Sequence, residues 1–292
     1  MSIDLLQNRI RKLKNPSVID FSIEPGVLPP HLLEQEGSEE KAYLRFCREL
    51  MGTLKDFVPA VRFSFGTFAL MGREGLCDLS NLLKEASDLG YYVLLDATEI
   101  YSPWDAKWAA KIFMNASSDY YCDGLIISPY IGSDSIKPFL PGCQELERDL
   151  FVIVRSPNKS AAELQDLLTG SRQVHLATME LVNRSGERIN GKCGYSRIGA
   201  LVSATSADSL RNLRMRYPYV FHLVDGLDYP SGNAKICGNA FDRLGHGAVV
   251  CAGPSVTSAW IETESDGSDY LELACAAAER MKKNLTRYVT IL

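Results

Sequence analysis

The sequence is poor in the features that usually identify a function quickly. It has no run of about 18 or more apolar residues, so no segment reads as a membrane span. Its opening, MSIDLLQNRIRKLKNP, is mixed and charged and does not resemble a secretory signal, so a cytoplasmic protein is expected. The eight cysteines are scattered and include no CxxC pair; in a cytosolic chain they are expected to be reduced thiols. The four histidines, His31, His175, His222 and His246, show neither HxH nor HxxxH spacing. No metal site and no cofactor are therefore expected. Positive charge is scarce too. The net charge is −5, and the nearest approach to a basic run, RIRKLK at 9–14, is broken by Ile10 and Leu13. It reads as the polar face of an N-terminal helix, and a nucleic-acid partner is not expected. Internal repeats, low-complexity tracts and long linkers are missing as well.

What is present is a recurrent alternation. Short apolar runs lie at 17–21 (SVIDF), 58–63, 91–96, 124–128, 150–155, 198–203, 219–224 and 248–251. Most are continuously hydrophobic, as strands covered on both faces must be. Between them, helical patterns lie at 39–54, 74–89, 104–114, 160–168, 208–216 and 234–244, and another follows at 270–287. Eight strand–helix units predict right-handed crossovers and a parallel sheet, and favour a closed (β/α)8 TIM barrel, α/β in class, over an open sheet. The whole of 1–292 is expected to form this single domain, with the N- and C-terminal helices packed outside. The stretch 181–193 (LVNRSGERINGKC) reads as a surface excursion.

In such barrels the chemistry gathers at the C-terminal ends of the strands, and phosphate commonly binds the loops after strands seven and eight. Asp96 ends the third run, where it is either catalytic or a partner for a loop amide. Ser102-Pro103-Trp104-Asp105 has the form of a helix start, with Ser102 as N-cap. Lys107 follows in the second turn, either reaching back to the mouth or solvated. The loops 225–233 and 252–255 contain glycine and open helices, so each is either an anion site or a plain turn.

The strings SPYIGSDSIKPFL (128–140), GYSRIGALVSAT (194–205) and VVCAGPSVTSAW (249–260), with LDA at 95–97, together resemble the bacterial type 2 orotidine 5′-monophosphate decarboxylases over about 15–260. The resemblance implies a barrel of pyrimidine nucleotide metabolism that removes CO2 from orotidine 5′-monophosphate without metal or cofactor. It also implies a homodimer whose partner, if any, is a nucleotide or sugar phosphate. The family motif relies on a Lys–Asp–Lys–Asp network, in which an ammonium stabilises and then protonates the carbanion.

Matched residue by residue, Asp96 is retained, but the strand-two lysine is Arg62, the catalytic lysine is Thr98 and the second aspartate, which crosses to the partner subunit, is Tyr101. The strand-one aspartate corresponds to Glu24. The phosphate-binding glutamine and arginine correspond to Pro230 and Pro254, which offer no side-chain donor and no N–H. Ser196, Gly232, Pro254 and Ser255 are the remaining candidate ligand contacts. Three readings follow: a barrel without decarboxylase activity, an active decarboxylase with a relocated lysine (Lys107, with Glu99 for the lost aspartate), or a different sugar-phosphate enzyme, with Glu24, Asp96 and Glu99 as thin metal-ligand candidates.

Overall fold

The computed structural model describes residues 2–22, 27–263 and 265–292; Glu24 lies outside the described residues. Eight parallel strands close into a barrel: β1 Ser17–Asp20, β2 Ala60–Ser64, β3 Tyr92–Asp96, β4 Gly124–Ile127, β5 Asp149–Ile153, β6 Ser196–Ser203, β7 Val220–Asp225 and β8 Ala248–Ala252. Each pairs with its sequence neighbours, and β1 pairs with β8 to complete the ring. The expected fold class is the observed one. All eight apolar runs are strands, and nearly every residue in them is buried.

The helix α1, Ser2–Leu13, packs beneath the barrel. Ile3, Leu6 and Ile10 form its apolar face and are fully buried, each burial being worth about 1.5–3 kcal/mol. Asp4 in its first turn and Arg11 and Lys12 in its last complement the helix dipole. The Asp4 carboxylate also accepts the Cys193 N–H at 2.7 Å, tying the helix to the start of β6. Around the barrel run α2 Glu39–Leu54, α3 Gly72–Asp88, α4 Pro103–Phe113, α5 Val174–Gly186 and α6 Ala207–Arg216, with α7 Tyr270–Thr286 at the end. Ser38, Ser102 and Ser206 cap α2, α4 and α6 through their hydroxyls, as Ser102 was predicted to do. Among the described residues no helix is long and apolar enough to cross a membrane.

Three sequence expectations need correction. The pattern at 160–168 yields only a 3-10 turn and a four-residue helix, Ala162–Gln165, because the chain then enters a two-stranded hairpin whose turn uses Gly170 at φ 66°. The pattern at 234–244 stops as a helix at Cys237 and continues as a 3-10 turn to Ala240. The excursion at 181–193 begins inside α5: burial of Met179 and Val182 against the barrel outweighs the weak local propensity of Asn183 and Ser185.

The interior also holds a pH-sensitive group. His222, on β7, is fully buried, and burial with the positive charge of Arg214 pushes its imidazole well below the usual range. The unfolded chain takes up this proton below pH about 6.5 while the folded chain does not, so stability falls as pH drops through that value, by about 1.4 kcal/mol per unit. His222→Leu is expected to remove this part of the acid slope in urea melts between pH 7 and pH 5. An unchanged slope would show that the histidine is not buried neutral.

Candidate active site

Three of the strands end on aspartate: SVID, YVLLD and VFHLVD. An arginine interrupts a fourth, AVRFS. The barrel register brings these four residues together. Asp20 lies directly opposite Arg62, and Arg62 is level with Leu94, two residues below Asp96 on the same face of β3. The Arg62 guanidinium is ion-paired with Asp20 at 3.2 Å, with Asp225 at 3.2 Å and with Asp96 at closer range. Its side chain is only 11% exposed. Burial alone would disfavour the cation, yet the three carboxylates hold its pKa well above the ordinary value. Asp20 carries the cost of the imbalance: burial pushes its carboxyl above the usual range, against the pull of Arg62.

Above this cluster lies a cavity of about 500 Å³, lined by Asp20, Arg62, Asp225, Cys251 and the loops after β7 and β8, including Asp228, Pro230, Gly253 and Pro254. Arg62 is the one basic side chain among these described lining residues. The cavity is therefore acidic, with a single cation already engaged.

Asp96 takes the loop-amide role that the sequence left open, and pairs with Arg62 besides. One oxygen pairs with Arg62, and the other accepts the Thr98 N–H at 3.2 Å. Thr98 is half-buried in the loop after β3, where its side chain carries no charge. Tyr101 is 77% exposed on the outside of the mouth. Lys107 lies on the exposed face of α4, its Nζ 4.8 Å from the centre of the Trp104 ring, a cation–π contact that accounts for its charge without reference to Asp96. Glu99 folds its carboxyl over Gly66, where a Cβ would meet it at 2.0 Å. Burial raises its pKa.

Of the candidate ligand contacts, Pro254 lines the cavity and opens a short helix. Ser255 lines a separate cleft with Asn233 and Arg280. Gly232 closes the β7 loop: its N–H donates to the Tyr229 carbonyl at 2.8 Å, and a Cβ there would meet the Gly226 carbonyl at 2.0 Å. Ser196 is a correction. It is the first residue of β6, at the opposite end of the barrel, and its hydroxyl donates to the Gly186 carbonyl at 3.3 Å. The sequence placed it beside a loop, but β6 begins two residues earlier than its apolar run. Among the described residues, no group of three or more His, Cys, Asp or Glu is disposed to hold a metal ion. Asp20 and Asp225 were not singled out from the sequence. The signal that finds them is an aspartate closing an otherwise apolar strand at the end where barrel chemistry sits.

The comparisons with known proteins agree with this architecture. No family model matches the chain. It is 26% identical over 288 residues to the orotidine 5′-phosphate decarboxylase of Clostridium novyi, covering 98% of each chain. It is 28% identical to that of Rhodopirellula baltica, covering 94% of this chain and 95% of the relative. Its fold resembles the solved structure of Leishmania donovani OMP decarboxylase, with a TM-score of 0.73 at 22% identity over 98% and 99% of the two chains. It also resembles the orotidine 5′-monophosphate decarboxylase of Plasmodium berghei, with a TM-score of 0.74 at 14% identity over 96% and 99%.

Proposed function

We propose that the chain is a divergent member of the orotidine 5′-phosphate decarboxylase family that keeps the family's barrel and a small-molecule mouth without its decarboxylation chemistry. The observation that carries this reading is the state of Arg62: the one basic side chain among the described lining residues of the cavity is held by three carboxylates. A guanidinium with its pKa raised further is a poor proton donor. Thr98, at the position that matches the catalytic lysine, has no charge to offer a carbanion. The relocated-lysine reading gains nothing from Lys107, whose ammonium is turned to Trp104. Purified protein offered orotidine 5′-monophosphate is expected to form no uridine 5′-monophosphate above the buffer background in a steady-state assay. Turnover at an enzyme-like rate would refute the proposal.

The assembly is proposed to be a homodimer. Trp104, Trp108 and Ile112 form a stripe at i, i+4 and i+8 along α4, 72%, 64% and 46% exposed, with Tyr101 just before it. A helix that displays a row of large apolar side chains to solvent marks an interaction surface. Sedimentation is expected to give twice the 32.3 kDa chain mass, falling to the single-chain value in a Trp104→Glu/Trp108→Glu double variant. A parent that sediments as a monomer would contradict this.

A further inference from the structure

Three glycine N–H groups in the loops after β7 and β8 are already engaged by the protein. Barrels of this type hold phosphate on the loops after β7 and β8, through backbone N–H groups at helix starts. Here the Gly226 N–H donates to the Asp225 carboxylate at 2.7 Å. The Gly232 N–H donates to the Tyr229 carbonyl at 2.8 Å. The Gly253 N–H, the first amide beyond β8, donates to the Asp228 carboxylate at 2.7 Å. Pro230 and Pro254, which line the same cavity, have no N–H at all. Asp228 comes from the β7 loop and reaches across to the β8 loop, so one carboxylate spans the two segments that would otherwise face a phosphate together.

We propose that Asp228 is a specificity-determining residue, an internal anion that occupies the phosphate position of this barrel, so that the mouth refuses phosphomonoesters and takes an unphosphorylated small molecule of nucleoside size. Charge acts in the same direction as occupancy. Among the described lining residues, Asp20, Asp225 and Asp228 share the cavity with the single cation Arg62, and Asp96 stands behind it. A phosphate dianion entering there meets carboxylates at short range in a partly desolvated site, where like charges repel strongly. A ligand that presents uncharged N–H and O–H donors meets acceptors instead. The inference narrows the ligand class of the site proposed above and rests on that site being a binding mouth.

Calorimetric titration of the folded, full-length protein with inorganic phosphate, uridine 5′-monophosphate and uridine tests it. The parent is expected to bind neither phosphate nor uridine 5′-monophosphate. Asp228→Ala frees the Gly253 N–H and removes one charge, and is expected to bind uridine 5′-monophosphate at least ~10-fold more tightly than the parent. Should that variant fail to fold, the near-isosteric Asp228→Asn carries the test, with a smaller gain in the same direction because its amide oxygen still accepts from Gly253. Tight binding of uridine 5′-monophosphate by the parent, or no gain in any folded variant at Asp228, would overturn the inference. Tight parent binding without turnover would do so while leaving the non-decarboxylating reading intact, so the two failures are distinguishable.

Discussion

Arg62→Met is expected to destabilise the protein by about 3–5 kcal/mol in urea unfolding at neutral pH, the cost typical of removing one partner from a buried ion pair. The parent guanidinium is 11% exposed and touches Asp20, Asp96 and Asp225, whose side chains are 16%, 12% and 22% exposed. Methionine fills much of the same volume, so little of the loss is packing. What remains is three carboxylates converging on one another inside the barrel with no cation between them.

The pH dependence separates this cause from a packing defect. Burial already raises the Asp20 carboxyl in the parent, and removal of Arg62 raises it further. A carboxyl whose folded pKa lies above its unfolded value contributes stability below the unfolded pKa and loses it as pH rises through the folded one. The gap between variant and parent is therefore expected to widen from pH 5 to pH 8 and to narrow towards acid. A loss under about 1 kcal/mol, or a gap that ignores pH, would mean that the three aspartates do not depend on the arginine.

The barrel was legible in the sequence because its strands are continuous apolar runs and its helices are periodic, two signals set by burial on both faces of the sheet. Boundaries were less so. Ser196 is buried at the base of β6 although its neighbours are Gly194, Tyr195 and Arg197, because Arg197 is itself buried and ion-paired with Asp149 at 3.5 Å at the floor of the barrel. No local pattern announces a buried arginine in a strand; only a partner brought in by the fold explains it. The site was half legible for the same reason. Arg62 and Asp96 stand at positions that the sequence resemblance singles out, whereas Asp20 and Asp225 acquire meaning only when ring closure brings β1, β2, β3 and β7 to one axis. Asp228 is further out of reach. Its bond to Gly253 joins two loops separated by a whole strand and its approach, and nothing in either loop's composition specifies it.

The second large effect is on the chemistry itself. Removing CO2 from orotidine 5′-monophosphate leaves an electron pair on the ring with no cofactor to receive it, so the rate depends on a cation placed beside that carbon and on a proton delivered to it. General acid catalysis typically contributes ~10²–10⁴-fold, and a preorganised electrostatic partner ~10²–10³-fold. In the proposed reading the described residues of the site offer neither: Thr98 is uncharged and Arg62 is committed to three carboxylates. Together these deficits predict a chemical step slower by at least ~10⁴-fold than one in which both groups act. The most direct measurement is a single-turnover experiment with carboxyl-labelled orotidine 5′-monophosphate and protein in molar excess, in which even one slow catalytic event per site releases labelled CO2. The expected result is release at the rate of the buffer control. A burst of labelled CO2 that scales with protein concentration would show that a proton donor reaches the barrel centre, and would contradict the account.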